Sequence, residues 1–124
     1  MSDLIYSGMA AQDRPLVWLH GEVKTPPFSR LGCLEAGFFL RRIQSGELLG
    51  LPHSRPMPSI GPRFHELRIR DAGHNWRVFY RLDSDAVLIP DVLEKKTQRT
   101  PKSVLDACRT HAAKYDRDTK GARK

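Results

Sequence analysis

The sequence is poor in the residues that build metal sites and disulfide frameworks. Its two cysteines, Cys33 and Cys108, lie far apart and form no Cys-x-x-Cys pair, which argues against a zinc site. We therefore expect both to be free, buried thiols. The acidic residues do not cluster at the spacing of metal ligands, and we expect neither a bound metal nor a cofactor.

Long apolar runs are absent as well. The sequence has no stretch of 18 apolar residues and no signal peptide, so we expect no membrane partner and a cytoplasmic location. A chain of 124 residues is expected to form one domain with a substantial core.

Acidic residues are in deficit. The chain has 14 Asp and Glu against 21 Lys and Arg, which gives a formal net charge of +7 and a pI near 9.9. This balance favours polyanionic partners, namely nucleic acid, the ribosome or an acidic protein. Basicity alone does not choose among them.

The first half of the chain predicts a strand, a helix and a long loop. Residues 1–14 are polar and aperiodic and are expected to form a flexible leader. Leu16–His20 is a short apolar run that predicts a strand. Helical periodicity follows from Ser29 to Ser45, although Gly32 and Gly37 leave open a break into two shorter helices. Residues 48–63 contain four prolines and two glycines and predict a loop without regular structure.

The second half predicts a three-stranded meander and a helix. The strands are Phe64–Arg70, Trp76–Leu82 and Ala86–Leu93, and Pro90 in the last one indicates a bulge or an exposed edge. Thr100 and Pro101 are favourable residues for the start of a helix.

Together the elements predict an α+β fold: a small, twisted, mainly antiparallel sheet with helices packed on one face. The domain is expected to span residues 15–116, and residues 117–124 to form a basic C-terminal tail.

Two basic features are candidates for binding phosphate. Lys95 and Lys96 follow the last apolar run directly, where charged side chains have little packing value. Arg68 alternates with Leu67 and Ile69 along its strand, so its side chain should leave the core. An ordinary ion pair between Arg68 and Glu66 or Glu94 remains the alternative interpretation.

Several segments, taken in order, resemble the RelE/HigB-type toxins, in particular the phage-derived branch of the RelE/ParE superfamily. The resemblance covers residues 15–116. It is carried by His53-Ser54-Arg55-Pro56-Met57-Pro58-Ser59-Ile60-Gly61, His65-Glu66-Leu67-Arg68, Trp76-Arg77-Val78-Phe79-Tyr80, Glu94-Lys95-Lys96-Thr97-Gln98 and Thr100-Pro101.

This resemblance implies a RelE-like fold and a toxin of a type II toxin–antitoxin system. The implied partner is a HigA-like helix-turn-helix antitoxin, and the implied activity is cleavage of mRNA on the ribosome. Arg68 matches the arginine of the family's leucine-arginine strand, whose role is to hold the scissile phosphate. The C-terminal catalytic tyrosine of some relatives has no counterpart, because Tyr115 lies in the following helix.

Metal-independent RNA cleavage requires attack of a ribose 2′-OH on the adjacent phosphorus, cations at the phosphate oxygens, and groups that move protons. The catalytic candidates combine these requirements: Arg68, Lys95 and Lys96 for the phosphate, and His53 and His65 for proton transfer. His65 shares the apolar face of Leu67 and Ile69, which counts against it. The candidate RNA-binding residues are Arg55, Arg63, Arg77, Gln98 and Arg99.

Two other functions remain open at this point. The chain could be a ParE-like inhibitor of DNA gyrase that cuts no RNA. It could also be an inactive phage-derived remnant that only binds a partner. The fold alone does not choose among the three.

Overall fold

The computed structural model describes residues 13–19, 29–71, 73–94 and 100–122. These residues form five strands and two helices. In chain order they are β1 (Leu16–Trp18), α1 (Arg30–Gln44), β2 (Ser54–Pro56), β3 (Phe64–Asp71), β4 (His74–Leu82), β5 (Val87–Glu94) and α2 (Lys102–Ala122). The predicted α+β class is confirmed.

The described strands form one open sheet in the order β1-β5-β4-β3-β2. The β2–β3, β3–β4 and β4–β5 pairs are antiparallel, and β1 pairs with β5 in parallel. The expected mainly antiparallel sheet is therefore confirmed. The meander of β3, β4 and β5 makes its centre.

The two helices lie on opposite faces of this sheet, which corrects the expectation that they share one. Helix α1 packs against a cluster that includes Leu67 and Val78, whereas α2 packs against Phe64 and Phe79. Neighbouring residues of a strand point to opposite faces, so these sets belong to different sides. Phe79 shows this most clearly. It lies on the same face of β4 as Arg77 and Arg81, and it is nevertheless fully buried.

Helix α1 is continuous through both of its glycines. Ser29 caps it, since its hydroxyl accepts a hydrogen bond from the Gly32 amide at 3.1 Å. Gly46, at φ +100°, follows the last turn and ends the helix. Packing explains why position 32 is a glycine. A Cβ atom there would lie only 2.6 Å from the Asp71 carboxylate. That carboxylate accepts a hydrogen bond of 2.6 Å from the Ser29 amide and so cannot easily move away.

Pro90 lies at a bulge in a central strand. The register between β4 and β5 shifts between Phe79 and Arg81, at the level of Pro90. Of the two predictions made for Pro90, the bulge is confirmed. The exposed edge is wrong, because β5 lies between β1 and β4. Proline has no N–H to give to a ladder, and a bulge removes the need for one.

Two further expectations are corrected. The segment 48–63 was predicted to lack regular structure, but it contains β2, and Met57 and Ile60 within it are buried. Cys33 is exposed, whereas Cys108 is buried as expected. Burial raises the pKa of the Cys108 thiol to about 12.

Structure extends past both predicted ends of the domain. Arg14, placed in the leader, donates hydrogen bonds to the carbonyls of Ile43 at 2.8 Å and Asp83 at 3.0 Å. Helix α2 continues to Ala122, through most of the segment expected as a tail. Residues 1–12 and 123–124 lie outside the described ranges. Neither described helix is long and apolar enough to span a membrane.

The two glycines of α1 give a matched prediction about stability. We expect Gly32→Ala to lower the free energy of unfolding by about 1–3 kcal/mol, because the new methyl group collides with the anchored Asp71 carboxylate. Gly37 meets nothing within 4 Å, so Gly37→Ala should raise the free energy of unfolding by about 0.5–1 kcal/mol. Urea unfolding of both variants measures the difference. Equal effects of the two substitutions would contradict this account of Gly32.

Candidate functional site

Three arginines surround one glutamate on the face of the sheet that α2 partly covers. Arg55 on β2 is the register partner of Glu66 on β3, and Arg68 on β3 is the partner of Arg77 on β4. Residues that are paired directly across antiparallel strands point to the same face, and so do Glu66 and Arg68. We call Arg55, Arg68 and Arg77 the arginine cluster.

The glutamate holds the cluster from below. Glu66 is fully buried, and its Oε1 lies 3.0 Å from Arg55 Nε, 3.3 Å from Arg68 Nε and 3.6 Å from Arg77 Nε. The Arg55 and Arg68 side chains are 40% and 33% exposed, so they reach from this buried anchor to the surface. Arg77 is 15% exposed and also donates to the Trp76 carbonyl at 3.2 Å.

Charges of both signs act on Arg77. Burial lowers the pKa of its guanidinium, and the nearby charges of Arg68 and Arg55 lower it further. The Glu66 carboxylate opposes them and raises that pKa. Three cations against one anion leave the site with an excess of positive charge, which attracts a phosphate.

A pocket of about 350 Å³ opens beside the cluster. It brings the predicted His53 next to Arg68, whose amide donates to the His53 carbonyl at 2.8 Å. The His53 ring is exposed and packs against Phe39, with ring centroids 4.6 Å apart. The pocket is lined by Glu35, Pro52, His53, Arg68, Ile69, Arg70, Asn75 and Arg77.

His65, predicted as a second acid or base, lies on the opposite face of the sheet. Its ring stacks on Tyr80 at 5.2 Å between centroids, and its Nδ1 is 3.2 Å from the Arg63 carbonyl. The structure therefore does not bring His65 to Arg68. The reason is the strand alternation that already counted against it. Tyr80 is buried, and its hydroxyl lies 2.6 Å from the Ser54 hydroxyl.

Arg63 lies away from the cluster too. It precedes β3 and pairs with Asp83 at 3.3 Å, and five residues of extended chain, about 16 Å, separate it from Arg68. It borders a different cleft, of about 570 Å³, which is also lined by Arg81, Asp83, Tyr115 and Asp116. Arg63 is therefore not part of the site that contains Arg68.

The remaining candidates lie outside the described residues: Lys95, Lys96, Gln98 and Arg99. The described chain on either side of them borders the cluster. Glu94 is paired with Trp76, the neighbour of Arg77, and Thr100 lines a pocket of about 450 Å³ together with Arg55. The described residues Glu94 and Thr100, which flank this segment in the sequence, therefore lie near members of the cluster.

Glu66 was not among the site residues predicted from the sequence. Its ion pair with Arg68 was anticipated as a surface contact, but the carboxylate is buried and serves three arginines at once. Glu94, the other anticipated partner, contacts His74 instead. The available signal was the spacing of Glu66 and Arg68, which places opposite charges on one face of a strand.

The arrangement suits an anion with several oxygens. Planar guanidinium groups present paired donors that match phosphate, and partial burial strengthens the attraction. Within the described ranges, no group of three or more His, Cys, Asp and Glu could hold a metal ion.

Comparison with known proteins gives one match. The family model described as "Phage derived protein Gp49-like (DUF891)" matches residues 33–112, which is more than half of the chain and includes the whole arginine cluster. No curated protein and no solved structure matches the chain.

The position of His65 gives a prediction about pH. Burial lowers the pKa of its imidazole, while a hydrogen bond to the Arg63 carbonyl opposes this. We therefore expect its NMR titration midpoint to lie below the ordinary value of about 6.5. The folded state then binds this proton less readily than the unfolded state, so the His65 contribution to stability is lost as the pH falls below about 6.5. A midpoint above 6.5 would contradict the burial of the ring.

Proposed function

The chain belongs to the Gp49-like family of phage-derived proteins, a RelE-like toxin family, and we propose that it is the toxin of a type II toxin–antitoxin system that cleaves mRNA. We propose further that cleavage takes place on the ribosome and needs no metal ion. The arginine cluster is the observation that carries this proposal.

The cluster supplies what the phosphate needs during cleavage. The 2′-oxygen attacks the adjacent phosphorus, negative charge builds on the non-bridging oxygens, and the bond to the 5′-oxygen breaks. Arg55 and Arg68 reach the surface beside each other and can donate to those oxygens, while Arg77 adds charge from below. Fixed cations of this kind stabilise a transition state without reorganising.

Two protons must move in this reaction. A base takes the proton of the 2′-OH, and an acid gives one to the leaving 5′-oxygen, which leaves a 2′,3′-cyclic phosphate and a 5′-hydroxyl. His53 is our candidate for one of these roles, because it lines the pocket that Arg68 and Arg77 also line. Lys95 and Lys96 are candidates for further phosphate contacts, and Gln98 and Arg99 for contacts with RNA or the ribosome.

The proposed neutralising partner is a HigA-like helix-turn-helix antitoxin. A toxin family of this kind supports an antitoxin partner, and a net charge of +7 favours an acidic one. The outer face of α1 offers a suitable surface. Leu31, Leu34 and Phe38 are 77%, 61% and 58% exposed there, and the exposed Arg30 and Arg41 lie at the two ends of the row.

Gyrase inhibition, as in ParE-like proteins, is the alternative activity, and an inactive binding remnant is the third. A nuclease leaves discrete mRNA ends that primer extension detects after induction. A gyrase inhibitor would leave transcripts intact and induce a DNA-damage response. A remnant would bind the antitoxin and leave growth unaffected.

Substitutions in the cluster test the nuclease directly. We expect Arg68→Ala to relieve growth arrest and to slow mRNA cleavage about 100-fold or more, because it removes a cation from the developing charge. Lys96→Ala should also relieve arrest. Growth after induction and primer extension on a defined transcript measure both effects.

Arg117→Ala is the matched control, because it also removes one exposed arginine but from α2, outside the pockets described above. It should retain toxicity. Full toxicity of both Arg68→Ala and Lys96→Ala, with each variant folded by circular dichroism, would refute the nuclease proposal.

A further inference from the structure

We infer that Glu66 is a positioning residue that aims the Arg55 and Arg68 guanidinium groups at a phosphodiester of single-stranded RNA. The inference deepens the proposed function and rests on it for the identity of the anion. It concerns how the arginines are held, and its test does not depend on whether the RNA is cut.

Each guanidinium group has an Nε nitrogen and two terminal nitrogens, and Glu66 contacts the Nε nitrogen. The contacts between Glu66 and all three arginines are made through Nε, the nitrogen nearest the main chain of each arginine. Among the described residues, the terminal nitrogens of Arg55 and Arg68 have no hydrogen-bond partner. Because the carboxylate is buried and both arginine side chains are partly exposed, a ligand at the surface can reach these side chains.

Burying a carboxylate costs free energy unless cations and hydrogen-bond donors contact it closely. Glu66 has no exposed surface, and its Oε2 has no hydrogen-bond partner within the described part of the chain. A fully satisfied ion pair would engage both oxygens. This carboxylate instead directs one oxygen at three cations that would otherwise repel each other, which fits a role in arranging them.

Two possible roles for Glu66 predict opposite changes in RNA affinity when its charge is removed. If the carboxylate only offsets positive charge, its neutralisation should strengthen binding, because the net charge rises by one. If it positions the guanidinium groups, neutralisation should weaken binding in spite of the added positive charge, because the two guanidinium groups are then no longer held beside each other by their Nε contacts. The direction of the change therefore decides between the two roles.

The experiment measures the binding of a 2′-O-methyl RNA oligonucleotide, which cannot be cleaved by 2′-OH attack, to the full chain by fluorescence anisotropy. We expect Glu66→Gln to raise Kd about tenfold and to reduce the slope of log K against log salt by about one, as one phosphate contact is lost. Glu47→Gln is the matched control, because it removes the same charge at an exposed ion pair with Arg42. It should bind RNA as tightly as the original chain or slightly more tightly.

Arg55→Lys covers the case in which Glu66→Gln does not fold. This substitution keeps the charge at a partly exposed position but loses the Nε contact and the paired terminal nitrogens. We expect it to weaken RNA binding about as much as Arg55→Ala does. Binding as tight as that of the original chain would overturn the inference.

The remaining outcomes separate this inference from the proposed function. Unchanged or tighter binding by folded Glu66→Gln would overturn the positioning role and leave the nuclease intact. Loss of affinity in that variant, combined with no cleavage of ribosome-bound mRNA by the original chain, would support the positioning role and refute the nuclease. Failure of the original chain to bind the oligonucleotide would overturn the positioning role, whereas the nuclease is tested separately by cleavage of ribosome-bound mRNA.

Discussion

The contact between the buried Glu66 carboxylate and three guanidinium groups is the interaction on which the site depends. Arginines on neighbouring strands repel one another, and without a counter-charge between them they would turn apart into solvent. Glu66 Oε1 lies within 3.6 Å of an Nε atom of each arginine, so one anchor draws residues from β2, β3 and β4 into one group. Leaving a carboxylate without water is costly, and only close pairing offsets that cost.

The architecture explains why such a group can exist in a domain of this size. Helix α1 covers one face of the sheet, and the apolar side chains of β3 and β4 on that side supply most of the core. Helix α2 packs on the other face, where its Cys108 and Ala112 join Phe64 and Phe79 in a second buried cluster. The arginine cluster occupies the same face at positions that the apolar contacts of α2 do not require. Stability and the proposed phosphate binding therefore use different parts of one surface, and the family match covers both.

Local patterns in the sequence predicted most of the elements and some of the site. The strand alternation of Leu67, Arg68 and Ile69 correctly directed Arg68 out of the α1 core, and it correctly disfavoured His65. Proline in β5 indicated the bulge. Alternation failed at Phe79, because the sheet is apolar on both faces where α2 covers it. The loop prediction failed at β2, because prolines are tolerated in a short strand at the edge of a sheet.

By itself the sequence determined the basic charge, the α+β class and the side of β3 from which Arg68 projects, because these follow from composition and from the two-residue period of a strand. Only the tertiary structure decided that Arg55 and Arg77 join Arg68 around Glu66, and that His53 shares a pocket with Arg68 and Arg77 while Arg63 does not. Arg55 and Glu66 are 11 residues apart in the chain. Their meeting depends on the register between strands, which backbone pairing and the burial of whole faces fix together, and no short segment encodes it.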